Sequence, residues 1–290
     1  MFNYYAFLQR INPIYFGILA IFIWSWSSLL INYTKLPALE VLALSLLTAL
    51  LISISKISIK KEWHLYKYPI KTWLNLSLSL GLNNVCYYLA FQYASAATVD
   101  LITWLWPVIF ILIIRKKHKA IISGRIYVSL AIGLIAAFLM IPNYNLLSNY
   151  SFLGLVFAML ANIFWCNYLL INLKHPKISP DFTVLCLGLN FPIIAYLHFV
   201  FEPSITPSIL DISRIVMLGL GSLTTAFYLW DYASKHSSSI KLSIYSYITP
   251  VLSVVWLVCF KMQIFNIKLL WALILLIVCN MLCHNEQSNI

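Results

Sequence analysis

Polar and apolar positions fall into blocks along this chain: long uncharged stretches, bounded by Lys/Arg clusters or by turns of Pro, Asn and Ser. A helix that crosses a bilayer needs about 20 mostly apolar residues. Ten such stretches can be drawn, at 14–31, 37–55, 73–93, 97–114, 126–141, 152–173, 182–201, 212–232, 238–260 and 267–283. The uncharged run over 126–173 is too long for one span, and Pro142, Asn143, Asn145, Ser148 and Asn149 divide it. The third stretch holds Asn83, Asn84 and Gln92, and the eighth holds Ser222, Thr224, Thr225 and Asp231. Polar groups at that depth are expected of helices that line a polar cavity.

Composition agrees with this pattern. Of 290 residues 62% are hydrophobic and 9% charged, whereas a soluble domain carries roughly a quarter charged residues. A soluble fold is excluded, as are the low-hydrophobicity disordered class and the disulfide-stapled secreted class. The predicted fold class is an all-α polytopic membrane protein with ten transmembrane helices, which leaves no room for a soluble catalytic domain. The run at 14–31 follows Arg10 as the apolar part of a signal peptide would, but it is long and lacks a small-residue cleavage site. It reads as a retained first span.

The net charge of +11 would suggest a nucleic-acid surface in a soluble protein. Here it sorts by loop instead. With ten spans, fifteen Lys/Arg fall on the side of the N-terminus, including Lys56, Lys116, Lys174 and Lys235, and four (Lys35, Arg214, Lys261 and Lys268) fall on the other. The excess of Lys/Arg in cytoplasmic loops places both termini in the cytoplasm. The partners expected are the lipid bilayer and a small molecule, with no nucleic acid; the oligomeric state is left open.

The two halves resemble each other at an offset of 143: Ala94 to Ala97 and then Trp104-Leu105-Trp106-Pro107-Val108 line up with Ser237 to Ser239 and then Tyr247-Ile248-Thr249-Pro250-Val251. On the same offset Tyr87-Tyr88-Leu89 meets Trp230-Asp231-Tyr232, and Leu-Leu-Ile-Asn occurs at both 29–32 and 169–172. Residues 1–143 thus form a first five-helix repeat and 144–290 a second. Because five is odd, the second enters the membrane inverted, and inverted repeats mark transporters that alternate access around a midplane site. Pro107 and Pro250 are expected to break their helices there, each freeing the carbonyl four residues earlier, at Thr103 and Ser246.

These residues resemble the drug/metabolite transporter superfamily, EamA type, and within it the bacterial aromatic amino acid exporters. The resemblance is carried by Leu19-Ala20-Ile21 with Trp24-Ser25, by Trp104-Leu105-Trp106-Pro107, by the Trp230 segment, and by Ser246-Tyr247-Ile248-Thr249-Pro250-Val251-Leu252-Ser253. It implies two inverted five-helix repeats around a central cavity and export of amino acids or related metabolites across a bacterial cytoplasmic membrane.

Trp24, Asn84, Tyr87, Trp104, Trp165, Tyr228, Tyr245 and Tyr247 lie at or beside repeat-related positions and are the candidate substrate-binding residues. Rings give a flat organic solute dispersion contact, and a few amide and phenol groups orient it. Any one of the 45 aromatic residues is more simply explained by core or interfacial packing; the group near the prolines stands above that. Asp100 and Asp231 are candidates for a coupling or gating role, because an intramembrane carboxylate is a functional candidate by default. The plainer account of Asp100 is a favourable charge in the first turn of its helix, and of Asp231 a surface pair with Lys235 four residues on. Glu40 reads as an entry-loop residue and His198 as a packed, singly bonded one.

The sequence contains no GxxxxGKS, GxGxxG, GxSxG or HExxH motif. The six cysteines sit in apolar segments without a CxxC pair or a neighbouring His cluster. No enzyme, catalytic residue, cofactor or metal is therefore expected, and uphill transport would draw on an ion or solute gradient. The leading expectation is a secondary transporter exporting amino acids, aromatic ones included, or related small metabolites by alternating access. Its rivals are uptake or exchange of a nucleoside-like or cofactor metabolite and, in another class, a membrane-embedded lipid-modifying enzyme. The latter would need His and carboxylates clustered at one membrane face.

Overall fold

A computed structural model describes residues 12–61, 68–117, 124–139, 149–237, 242, 245–246, 248–265 and 267–287, and among the described residues there are helices and no strands. Tyr247, Lys241 and the turn at 142–148 lie outside them. In chain order the helices are α1 (Ile14–Trp24), α2 (Ser27–Tyr33), α3 (Ala38–Lys60), α4 (Ile70–Tyr93), α5 (Ala96–Thr103), α6 (Trp106–Lys117), α7 (Gly124–Leu139), α8 (Asn149–Lys174), α9 (Pro180–Gly188), α10 (Phe191–Phe201), α11 (Ile209–Met217), α12 (Ala226–His236), α13 (Ile248–Cys259) and α14 (Ile267–Gln287). A π-helical segment, Leu218–Thr225, joins α11 to α12.

Six helical runs are long and apolar enough to cross a membrane: Ile14–Tyr33, Ala38–Lys60, Thr98–Lys117, Phe152–Lys174, Pro180–Phe201 and Ile209–His236. The chain is a multi-pass membrane protein. Helix α4 matches them in length, with 24 residues, but Asn75, Ser77, Ser79, Asn83, Asn84 and Gln92 dilute its apolar character.

Several of these runs are interrupted, and a side chain takes up backbone polar groups at each interruption, as hydrocarbon requires. The first run bends at Ser25-Trp26 without a proline; Ser253 of α13 donates to the Ser25 carbonyl at 3.0 Å, and Trp256 Nε1 donates to Ser25 Oγ at 3.0 Å. The run Thr98–Lys117 breaks at Trp104-Leu105, just ahead of Pro107. There Asn162 of α8 donates to the Ile102 carbonyl at 2.8 Å. The carbonyl captured is that of Ile102, one residue before the Thr103 carbonyl expected from the proline spacing. The run Pro180–Phe201 bends at Leu189-Asn190, where Asn190 Nδ2 donates back to the carbonyls of Cys186 and Leu187. Pro250 lies buried in the first turn of α13, where its missing N–H costs the helix no bond; position 247, just ahead of that helix, lies outside the described residues.

Packing is tight where small residues face backbone. The closest pairings are α4 with α8, α7 with α14 and α1 with α12, while α3 is held by α9, α10 and the π segment. A Cβ at Gly219 would stand 2.7 Å from the Ser45 carbonyl oxygen and 2.6 Å from Thr48 Cβ; close approach through small residues is the usual device of membrane helix packing. The largest fully buried side chains include Trp230, Tyr88, Tyr168 and Phe182, whereas Ile193, Tyr196, Phe199 and Phe201 of α10 project outward as a lipid-facing surface would.

Gly219→Val should therefore lower the thermal stability of the detergent-solubilised protein, by about 1–3 kcal/mol for overpacking. Gly221→Ala is the control, because its Cβ would meet only Ile23 Cγ2, at 3.4 Å. Equal melting temperatures for the two variants would refute the close packing of α3 on the π segment.

Candidate functional site

The breaks leave a cavity of about 100 Å³ among α1, α2, α4, the α5–α6 junction, α8, the π segment and α12. Trp24, Asn84, Tyr87, Trp104 and Trp165 all line it, as do Asn83, Asn162, Ser222 and Phe227. Its wall is aromatic with a few amides and hydroxyls, several of them held from behind, while the Tyr88 hydroxyl and the Trp106 and Trp165 indole N–H groups have no hydrogen-bond partner among the described residues. Trp24 Nε1 donates to the Ser222 carbonyl at 3.0 Å, which the wide turn of the π segment turns toward α1. Ser27 and Ser222 hydroxyls bond at 2.8 Å, and Asn83 Nδ2 donates to the Ala161 carbonyl at 2.9 Å. Thr224 and Thr225 close the π turns by donating to carbonyls five residues back, Gly219 and Leu220, both at 2.7 Å. π turns inside α-helices frequently occur at functional sites.

Four tryptophans form the floor. Trp24 lies 5.6 Å from Trp165 and 5.4 Å from Trp230, and Trp106 lies 6.1 Å from Trp165 and 5.9 Å from Trp230, centroid to centroid. On the far side of this layer is a second cavity of about 230 Å³, lined by Trp106, Phe110, Asn172, Trp230, Ser234 and Lys235 among others. Trp106 belongs to both. The two spaces are thus separated by one layer of rings supplied by four different helices.

The other sequence candidates lie elsewhere. Tyr228 does not reach the cavity: its hydroxyl donates to Asp181, and Lys56 Nζ sits 3.4 Å from its ring centroid. Tyr245 is 38% exposed and lines neither cavity, and Tyr247 is outside the described residues. Asp231 is not the surface residue expected but is fully buried, and Lys235 Nζ meets its Oδ2 at 2.6 Å. Tyr168, Asn172 and Thr183 donate to its Oδ1 at 2.9, 2.9 and 3.2 Å. Asp100 is likewise buried, in the second turn of α5, whose N-cap is Ser95. Glu40 and His198 are buried at the end of the bundle opposite Lys56 and Lys235. His198 there bonds Glu202 through Nδ1 at 3.0 Å and Ser204 through Nε2 at 3.4 Å, a doubly engaged ring.

Over 203 residues, 66% of this chain and 68% of the relative, the sequence is 26% identical to the aromatic amino acid exporter YddG of Ancylobacter novellus. The resemblance to bacterial aromatic amino acid exporters is borne out. No protein-family model matches the chain. One solved crystal structure superposes with a TM-score of 0.74 at 21% identity, covering 96% of this chain and 98% of its own, so the fold is shared over nearly the whole length.

Trp24-Ser25, the Trp104 to Pro107 segment and the Trp230 segment are the sequence marks of the site, whereas Asn162 and Phe227 complete it without any motif of their own. The repeat alignment touched Trp106 and Trp230; nothing distinguished Asn162 and Phe227 from other polar or apolar positions.

Breaking a buried ion pair by removing one partner costs about 3–5 kcal/mol, whereas replacing both with apolar residues is often neutral. Asp231→Leu should therefore sharply lower the melting temperature, and Asp231→Leu with Lys235→Met should recover the part due to the stranded ammonium, while Tyr168, Asn172 and Thr183 remain without their acceptor. A double variant no more stable than the single one would show that the pair is not closed on itself.

Proposed function

We propose that this protein is a secondary transporter that exports aromatic amino acids, or closely related small metabolites, from the cytoplasm by alternating access. The observation that carries the reading is the aromatic cavity at the helix breaks, in a chain similar to a protein named as an aromatic amino acid exporter. Five residues chosen from sequence, Trp24, Asn84, Tyr87, Trp104 and Trp165, ring that cavity. An indole or phenyl ring fits among indoles by edge-to-face contact, and Asn83, Asn84, Asn162 and Ser222 offer donors and acceptors for an ammonium and a carboxylate.

On this reading ten helices form two inverted repeats, residues 1–143 and 144–290, in a bacterial inner membrane with both termini in the cytoplasm. The halves interlock at the breaks: α13 of the second half closes the break at Ser25 of the first, α8 of the second half closes the break after Ile102, and Trp24 of the first half takes up the Ser222 carbonyl of the second. The Lys/Arg asymmetry supports the orientation and puts the Lys235 end inward. Rocking of the halves would then open the tryptophan layer on one side while the other closes. The Asp231–Lys235 pair, with Lys235 in the inner cavity, stands where an inner gate is needed.

Counterflow of labelled tryptophan in proteoliposomes tests the reading. Wild-type protein should exchange it, and Trp104→Ala should weaken it by about 2–4 kcal/mol, or roughly 30- to 700-fold in apparent affinity, as loss of a central aromatic anchor does. Membrane insertion and melting temperature should stay near wild type. No exchange of any aromatic amino acid by well-folded wild-type protein would overturn the assignment.

A further inference from the structure

Asp100 is 1% exposed inside a membrane-crossing run, and no cation faces it among the described residues. Its Oδ1 accepts from the Tyr87 hydroxyl at 3.2 Å. Its Oδ2 has no hydrogen-bond partner among the described residues, and neither does the equally buried Ser28 Oγ. The groups that face the carboxyl are Tyr87 from α4, with Tyr88 behind it, Ser28 from α2 and Ser253 from α13. Ser253 has already given its proton to the Ser25 carbonyl at the break in the first run. Three neighbouring elements thus converge on one carboxyl with hydroxyls alone.

An ionised carboxylate so placed would be a buried charge without a counter-ion, which proteins avoid by neutralising the group. A proton on Oδ2 removes the charge and turns this oxygen into a donor, for which the facing Ser28 hydroxyl oxygen is an open acceptor. The site is wired to the cavity on one side and to a hinge on the other. Tyr87 lines the cavity with its ring while its hydroxyl holds Asp100, and Ser253 and Ser28 flank the bend between α1 and α2. A change in helix packing that opened this corner to water would let the carboxyl release its proton.

We propose that Asp100 binds the proton whose movement drives transport, taking it up at Oδ2 from the outer side and releasing it to the inner side as solute moves the opposite way. The proposal deepens the transporter reading and rests on it for its coupling, though not for the proton site itself. No redox or covalent partner is needed: one O–H bond forms on entry and the same bond breaks on exit.

Two measurements test it. The first needs no substrate: infrared difference spectra of the purified full chain across a pH titration should show a protonated carboxyl band that Asp100→Asn removes and Asp100→Glu retains at a shifted position. A band unchanged in Asp100→Asn would overturn the proton site. The second uses proteoliposomes with an imposed pH gradient. Wild-type protein should gather tryptophan on the acid side, toward a ratio of about tenfold per pH unit for one-to-one exchange. Asp100→Asn should lose this accumulation but still catalyse counterflow, and Asp100→Glu should restore part of it. Accumulation that persists in Asp100→Asn, or that follows a Na⁺ gradient and ignores pH, would overturn the coupling. If wild-type protein exchanged no aromatic amino acid at all, the transporter reading would fail while the infrared titration still decided the proton site.

Discussion

Every backbone N–H and C=O in hydrocarbon must find a partner inside the protein, and the architecture of this chain follows from how that demand is met where its helices stop being regular. Regular helices satisfy themselves and need nothing from their neighbours. An interrupted helix does need a neighbour, so each interruption ties two helices together at a fixed register. Ser25 is held by Ser253 and Trp256, Ile102 by Asn162, and Ser222 by Trp24. Of the side chains that make these bonds, Trp24 and Asn162 line the cavity. The same constraint that permits irregular backbone only where it is buried or lines a cavity thus places the cavity beside the breaks.

Aromatic packing then divides the interior. The indoles of Trp24, Trp106, Trp165 and Trp230 meet edge to face or tilted, at centroid separations where such pairs are favourable. They lie between the two cavities, held by contacts individually weak enough to be exchanged for contacts with another ring. On the lysine-rich side stand closed ionic clusters, Asp231 with Lys235 and Asp181 with Lys56. On the other, Glu202 accepts from Leu39 N, Gln92 and His198, which ties α3, α4 and α10 together. Soft ring contacts in the middle and polar clasps at both ends suit the rocking between two packed states that the proposed transport requires.

The sequence carried the apolar runs plainly, since length and lack of charge are all that a spanning helix asks. Pro107 announced the break in the run Thr98–Lys117 because proline removes a bond wherever it stands, and the dense polar residues of α4 and of the π segment announced the cavity wall. The bend at Ser25-Trp26 was not legible: neither residue breaks helices, and its cause is Ser253 and Trp256, more than two hundred positions away. Asp231 failed for a related reason. A Lys four residues on looks like a solvent pair, and only the arrival of Tyr168, Asn172 and Thr183 from other helices makes it a buried one. Tyr228 shared its helix with cavity residues yet faces Asp181, because neighbouring positions on a helix point about 100° apart.

If the tryptophan layer is the barrier between two alternately open spaces, water-soluble thiol reagents should sense it directly. With single cysteines placed at Asn83 and at Ser234 on a background lacking the native cysteines, reagent added from one side of the membrane should label one position and spare the other. Saturating tryptophan should change which is labelled. Labelling of both positions from the same side, unaltered by tryptophan, would contradict a single movable barrier at Trp24, Trp106, Trp165 and Trp230.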